Sequence, residues 1–325
     1  MKRLMLITLI IVITIGVFSL YSWGADLKIA MLLPGPISDQ GWNMMAHNAL
    51  KAAEKEFSAE IAYTERTPVS DFEEIFRGYA QAGFNIIMGH GFQFGDVAKK
   101  VAQEFPKTIF IVSSSDISQA PNLASFRTMD AQAGFIQGVV AALLTETNKV
   151  AYIGGMEIPP TINQNRGFRA GVKYINPSIE VISTFTGSFY DVAKAKEMAK
   201  AMAQKGVDII VPDADVANLG VVEAAEEEDI KIIGCSTDMA EVSPDITITS
   251  LLEDFSKAFT TVVDYVLEGK FESRAYEMGV QEGALDLAPF RKYEEKVSKE
   301  DMAKINQVLD DLKSGKIDIA KYLED

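Results

Sequence analysis

The chain has 325 residues, a formal net charge of −15 and one cysteine, Cys235. That charge disfavours nucleic acid and anionic membrane surfaces as partners. A lone cysteine excludes an intramolecular disulfide and a cysteine metal cluster, and with only two histidines, His47 and His90, no zinc site is expected.

Read in chain order, the first feature is a leader. Lys2 and Arg3 precede an apolar run from Leu4 to Leu20, followed by Tyr21-Ser22-Trp23-Gly24-Ala25. A basic start, an apolar core and small closing residues make a secretory signal peptide, so residues 1–25 are expected to be cleaved after Gly24 or Ala25. The run is near the lower limit for spanning a bilayer, but Thr8, Thr14 and Gly16 dilute it. No cysteine follows it to carry a lipid. The mature body is therefore expected to be soluble and periplasmic, without a tether.

Short apolar runs then alternate with longer amphipathic ones. Strands are predicted at 27–33, 60–64, 85–89, 108–113 and 122–127. Helices are predicted at 42–57, 71–82 and 96–104. The pattern restarts with an apolar helix at 131–144. Strands follow at 149–154, 180–184, 208–211 and 231–234, with helices at 163–175, 192–205 and 219–227. A strand at 246–252, a helix at 255–267 and a charged helix at 298–312 complete the chain. The fold class read from this order is α/β, with two doubly wound lobes, mainly parallel sheets and a ligand cleft between the lobes.

In parallel sheets, ligands sit beyond the carboxyl ends of the strands, so the loops after the strands are the ones to read. Asp39-Gln40-Gly41-Trp42-Asn43 follows the first strand. Ser38 or Asp39 can cap the helix, while the Trp42 indole offers a stacking face and the Asn43 carboxamide both donates and accepts. His90-Gly91-Phe92-Gln93-Phe94 places two aromatics in a loop, as pocket wall or folded back on the core. His90 reads as a hydrogen-bonded structural residue. Ser114 sits in the loop after the fourth strand. In the second unit, Phe189 and Tyr190 stand beside Asp191, which is placed to cap a helix. Asp213, Asp215 and Asp238 end two further strands, where carboxylates accept hydrogen bonds from ring N–H groups or hydroxyls. Catalysis by these aspartates would need a scissile substrate and a matched partner, which nothing else supplies, so no enzyme is expected. Neither a dinucleotide fingerprint nor a Walker motif occurs, and no cofactor is expected.

At these loops the chain resembles the basic membrane protein family of ABC-transporter substrate-binding proteins, which includes purine nucleoside receptors. The carrying segments are Asp39-Gln40-Gly41-Trp42-Asn43, Phe126-Arg127 with Gly134-Phe135-Ile136-Gln137-Gly138, Asn165-Arg166-Gly167-Phe168-Arg169-Ala170-Gly171, Gly187-Ser188-Phe189-Tyr190-Asp191 with Lys194-Ala195-Lys196, and Thr249-Ser250. They run in the same order along essentially the whole mature chain. The resemblance implies a type I periplasmic binding protein with a hinge crossed several times. On that pattern, residues 26–130 plus 238–270 form the first lobe and 131–237 plus 271–325 the second.

The resemblance further implies that Trp42 and a second-lobe aromatic, Phe189 or Tyr190, sandwich a purine. Asn43 matches a base-contacting asparagine and Asp238 a carboxylate that holds ribose hydroxyls. One departure stands out: where nucleoside-binding members carry a lysine after the Thr-Ser pair, this chain has Glu253. An ionised carboxylate has no donors, which favours a free base or another hydrogen-bond-donating ligand over a nucleoside. The implied partners are a small heterocycle and an ABC permease, with the protein acting as a monomer. A flavin ligand, a sensory receptor for a membrane-bound signalling protein, a periplasmic hydrolase and a DNA-binding regulator are the competing readings. The last has no basic helix-turn-helix before the first strand to support it.

Overall fold

A computed structural model describes residues 27–38 and 41–323. The predicted leader and Asp39 lie outside these residues. The elements are β1 (Lys28–Leu32), α1 (Trp42–Phe57), β2 (Glu60–Thr64), α2 (Phe72–Gln81), β3 (Ile86–Gly89), α3 (Gly95–Glu104), β4 (Ile109–Ser113) and β5 (Leu123–Thr128). The chain continues through α4 (Asp130–Leu144), β6 (Lys149–Gly154), α5 (Pro159–Ile175), β7 (Glu180–Phe185), α6 (Val192–Gln204), β8 (Ile209–Asp213), α7 (Asn218–Glu228) and β9 (Lys231–Gly234). It ends with β10 (Thr247–Glu253), α8 (Phe255–Leu267), β11 (Ala275–Met278), β12 (Leu285–Leu287) and α9 (Lys299–Lys313).

Two six-stranded sheets result, ordered β11-β5-β4-β3-β1-β2 and β12-β10-β9-β8-β6-β7. Strand pairing is parallel except for β10 with β12. The strands are apolar on both faces because helices cover both faces. In the first sheet, Ile29, Met31, Ile86 and Met88 pack under α1 and α8, while Ala30, Leu32, Ile87 and Phe110 pack against Phe72, Phe76 and Phe94. In the second, Tyr152, Ile209 and Val211 share a core with Phe168 of α5, and Ile153, Ile210 and Ile232 one with Ala195, Ala199 and Val221.

α4 and α5 pack closely because glycines face backbone. A Cβ on Gly138 would lie 2.1 Å from the Phe168 carbonyl oxygen, and one on Gly171 would lie 2.1 Å from that of Phe135. No side chain fits between the helices there. The contact reaches the first turn of α4, where a Cβ on Gly167 would lie 2.0 Å from the Ala131 carbonyl oxygen.

The lobe boundaries differ from those expected. The segment 238–270 does not return to the first lobe as a block: β10 lies in the second sheet, and only α8 joins the first core. β11, expected in the second lobe, is the edge strand of the first sheet. The chain thus crosses between sheets after β5, after β10 and after β11. β11 and β12 have four and three residues, too short for periodicity to mark them. The crossings bind one another: Met129 N–H donates to the Met278 carbonyl at 3.0 Å, and Asp254 N–H to that of Ala284 at 2.8 Å. α5 also starts earlier than expected, at Pro159, since a proline in a first helical turn costs no hydrogen bond.

Candidate site between the lobes

The carboxyl ends of both sheets meet across the three crossings. Their approach is close: a Cβ placed on Gly41 would lie 2.5 Å from Oδ1 of Asp215, in the turn after β8. Ser114, Asp215 and Ser236 all follow strands and all hold left-handed φ angles, of 51°, 51° and 65°. Non-glycine residues adopt that region at a cost, and Ser58, Arg66, Asn148, Asp229 and Arg291 hold it as well.

On the first lobe, Trp42 opens α1 and lies against His90, with ring centroids 3.7 Å apart and planes tilted by 32°. His90 is fully buried. Its Nδ1 lies 2.9 Å from Ser113 Oγ and its Nε2 3.2 Å from the Trp42 carbonyl oxygen. The histidine is therefore the platform that sets the indole angle. Asn43 is 6% exposed, and its Oδ1 accepts the Gly35 N–H at 3.0 Å, which ties the loop after β1 to the helix. The loop aromatics divide. Phe94 turns into the core, 3.9 Å from Phe72, whereas Phe92 is 53% exposed. Ser114 is half-buried.

On the second lobe, Phe189 is half-buried over Gly155, where a Cβ would meet the ring at 2.3 Å. Its neighbour Tyr190 is 69% exposed, so Phe189 is the aromatic held at the strand ends. Asp191 caps α6 by accepting the Lys194 N–H at 3.0 Å. Asp238 accepts the Ala240 N–H at 3.0 Å and ion-pairs with Arg291.

A polar row runs along the edge of the second sheet. Asp213 ends β8 and Glu253 ends β10, with β9 between them leading into Cys235 and Ser236. Tyr152 donates its hydroxyl to Asp213, whose Oδ1 lies 3.6 Å from the Cys235 sulfur. Ser236 donates to Glu253 at 3.2 Å. Behind the row, Gln164 Nε2 donates to Cys235 at 3.1 Å and to Gln137 Oε1 at 3.0 Å, and Gln137 donates to the Gly234 carbonyl at 2.9 Å. These glutamines come from the glycine-packed α4 and α5, so the helix contact positions the strand ends.

Asp130, the first residue of α4, completes the row. It accepts weakly from Thr128 at 3.4 Å, and its place at a helix N-terminus suits a carboxylate. Asp130, Asp213 and Glu253 are half-buried by surface area yet enclosed by protein on the other sides. Burial pushes Asp130 up to about 7, with the charge of Asp213 adding to it and Arg127 opposing it. Burial, then Asp130 and Asp213, push Glu253 up to about 7. Burial also raises Asp213, against the donors Tyr152 and Cys235. The Cys235 thiol is raised well above its ordinary value by the same burial and charges, so it is protonated at neutral pH. Among the described residues, no group of three or more histidines, cysteines, aspartates and glutamates is arranged to hold a metal ion.

Sequence reasoning missed Asp130, Tyr152, Gln137 and Gln164. Asp130 had a signal, since it follows the end of a strand like the other loop residues. The others lie inside elements, and only tertiary packing brings them to the row. Two shallow hollows on the first lobe lie elsewhere, one along α2 and one at the amino ends of β3 and β4, away from these strand ends.

Two α/β lobes face each other over three crossings, an arrangement that places a ligand site between the strand ends. A solute-binding protein from Conexibacter woesei DSM 14684 has a similar structure, at 25% identity with a TM-score of 0.73, over 90% of this chain and 98% of that one. A transcriptional activator of the comK gene from Bacillus halodurans shares the fold at 24% identity and a TM-score of 0.78, over 87% and 96%. The sequence profile of the Bmp family, described as ABC transporter substrate-binding protein PnrA-like, matches residues 26–322, and the chain belongs to that family. It is similar to a purine-binding protein of Brucella abortus (strain 2308), 27% identical over 276 residues, 84% of this chain and 78% of that protein. It is also similar to basic membrane protein A2 of Borrelia garinii subsp. bavariensis, 29% identical over 265 residues, 79% and 78% of the two chains. The protein is thus an ABC transporter substrate-binding protein rather than an enzyme, and its class binds a small molecule and works with a permease. Such proteins act in the periplasm or outside the cell.

Proposed function

We propose that this protein holds a small flat heterocycle of purine type between its lobes and presents it to a permease in the inner membrane. The observation that carries this reading is the pair of half-buried aromatics at the strand ends, Trp42 set on His90 and Phe189 set over Gly155, in a member of a solute-binding family. Stacking on such faces contributes roughly 1–3 kcal/mol per base. The purine-binding relative from Brucella abortus supports the ligand class. The leader pattern of residues 1–25 supports export to a periplasm by a cleaved signal peptide, and the protein acts there as a monomer.

The test is a thermal-shift panel of adenine, guanine, hypoxanthine, adenosine, guanosine and riboflavin. A bound ligand at 100-fold above Kd stabilises the fold by about 2.7 kcal/mol. Shifts with one or more purines, abolished by Trp42→Ala, are the expected result. A shift with riboflavin alone replaces the purine by a flavin, and no shift with any compound removes the heterocycle reading.

A further inference from the structure

We propose that Phe255 is a positioning residue for the ligand site: it backs His90 and, through that ring, holds the Trp42 indole at its stacking angle. The proposal rests on the reading of Trp42 as a stacking face and names what sets that face.

Four rings run in contact from the site into the core. The centroids of Trp42 and His90 lie 3.7 Å apart, those of His90 and Phe255 5.1 Å, and those of Phe255 and Phe126 5.1 Å. Phe255 meets His90 with the planes at 85°, the edge-on arrangement that aromatic pairs favour. His90 and Phe126 are fully buried and Phe255 is 5% exposed, whereas Trp42 is half-buried. The train is thus anchored in the core and open at the strand ends. The bonds from the His90 nitrogens to Ser113 Oγ and to the Trp42 carbonyl oxygen lie in the plane of the imidazole. They fix where the ring sits, but its rotation about the line between the nitrogens is stopped only by packing, and among the described residues the rings on it are Trp42 and Phe255.

The place of Phe255 is in turn set by the crossing after β10. Phe255 is the first residue of α8, and Asp254 caps that helix by accepting the Lys257 N–H at 2.8 Å. The Asp254 N–H donates to the Ala284 carbonyl at 2.8 Å, and the Glu253 N–H donates to the Ser236 carbonyl of the second lobe at 3.1 Å. Three consecutive residues therefore tie the strand ends of the second lobe to the ring behind His90. The stacking face of the first lobe is set from the segment that joins the lobes. Phe255 has almost no surface to offer a ligand, yet affinity depends on it. If the indole holds its stacking orientation for only about a tenth of the time, the apparent affinity falls about ten-fold.

Trp42 is the one tryptophan in residues 26–325, so its fluorescence reports the indole directly. Time-resolved anisotropy of the mature chain, with calorimetric titration of adenine, guanosine and riboflavin, makes the test. Phe255→Leu and Phe255→Met keep an apolar side chain and remove the ring. Phe259→Leu is the matched control, since Phe259 is fully buried in the same helix and core and lies 6.3 Å from Phe126. The expected result is that both Phe255 variants give the ligand-free indole a fast local motion, on the picosecond to nanosecond scale of loose side chains, and lower probe affinity about ten-fold. Phe259→Leu should leave the anisotropy decay as in wild type and affinity within about two-fold. His90→Gln should loosen the indole as the Phe255 variants do, and joining it to Phe255→Leu should add nothing further. If Phe259→Leu acts like Phe255→Leu, the effect is general packing and the proposal fails. It fails equally if the Phe255 variants leave anisotropy and affinity unchanged, or if the effects of Phe255→Leu and His90→Gln add in full. If wild type binds none of the probes, the heterocycle reading itself fails and the proposal with it.

Discussion

The two lobes share one architecture, and each holds an aromatic at its strand ends, but they differ in the carboxylates they place there. The first lobe presents Trp42, the buried His90, Ser113 and Ser114, which are neutral or aromatic groups. The second lobe presents Asp213, Cys235, Ser236 and Glu253, with Asp130 added from the crossing. Each lobe is thus incomplete as a site: each holds one aromatic at its strand ends, Trp42 on the first and Phe189 on the second, and the second adds carboxylates. A shared scaffold does not set the ligand.

The comparison breaks most severely if the second lobe's edge loses its support. Gly138→Val brings a Cβ against the Phe168 carbonyl and must separate α4 from α5. Urea unfolding should show a loss of about 3 kcal/mol or more, or no folded protein. A variant of wild-type stability would show that the helix contact is not what fixes the row.

Trp42→Ala comes next. It removes the stacking face and leaves the His90 platform, so ligand affinity should fall about ten-fold or more, read by calorimetry. Unchanged affinity would place the indole outside the site.

Glu253→Gln gives a smaller effect with a sign that sharpens the contrast. Burial raises the folded-state value of Glu253 from 4.5 to about 7. The folded protein then binds a proton that the unfolded chain releases, and ligand-free stability falls as pH rises between these values. The variant should be more stable than wild type near pH 8 by on the order of 1 kcal/mol, because the cleft side of the group still meets water. That corresponds to about 2 °C in melting midpoint. Near pH about 4, below both values, the difference should vanish. An equal shift at both pH values would make the effect one of packing rather than charge.

Tyr190→Ala should do least. Its side chain is 69% exposed, so stability should change by less than about 0.5 kcal/mol and affinity should stay the same. A loss of affinity like that of Trp42→Ala would move the second-lobe aromatic from Phe189 to Tyr190.

Much of the fold was legible in the sequence because the strands are continuous apolar runs and the helices are longer amphipathic ones, three of them capped by Asp191, Asp254 and Ser298. The helices at 42–57 and 255–267 and the strands at 60–64, 149–154 and 231–234 have the bounds read from periodicity. Asp191 caps its helix as its position implied, and His90 is the hydrogen-bonded structural residue that its surroundings implied. The hinge was less legible. The edge strands β11 and β12 are too short to show a period, and nothing local marks which sheet β10 joins. The site was legible as a set of loops but not as contacts. Asn43 turns to the Gly35 backbone and Asp238 to Arg291, choices that depend on partners distant in sequence or on loop geometry. Phe92 and Phe94 read alike in the chain, yet only Phe94 meets Phe72 and Phe76.

The central claim, that the two lobes jointly enclose a small heterocycle, is tested most directly by native mass spectrometry of the mature protein as purified. The account predicts one small-molecule adduct, released on denaturation as a flat nitrogen heterocycle and absent from Trp42→Ala. Release of an anionic nucleotide, or of a sugar without an aromatic ring, would contradict it.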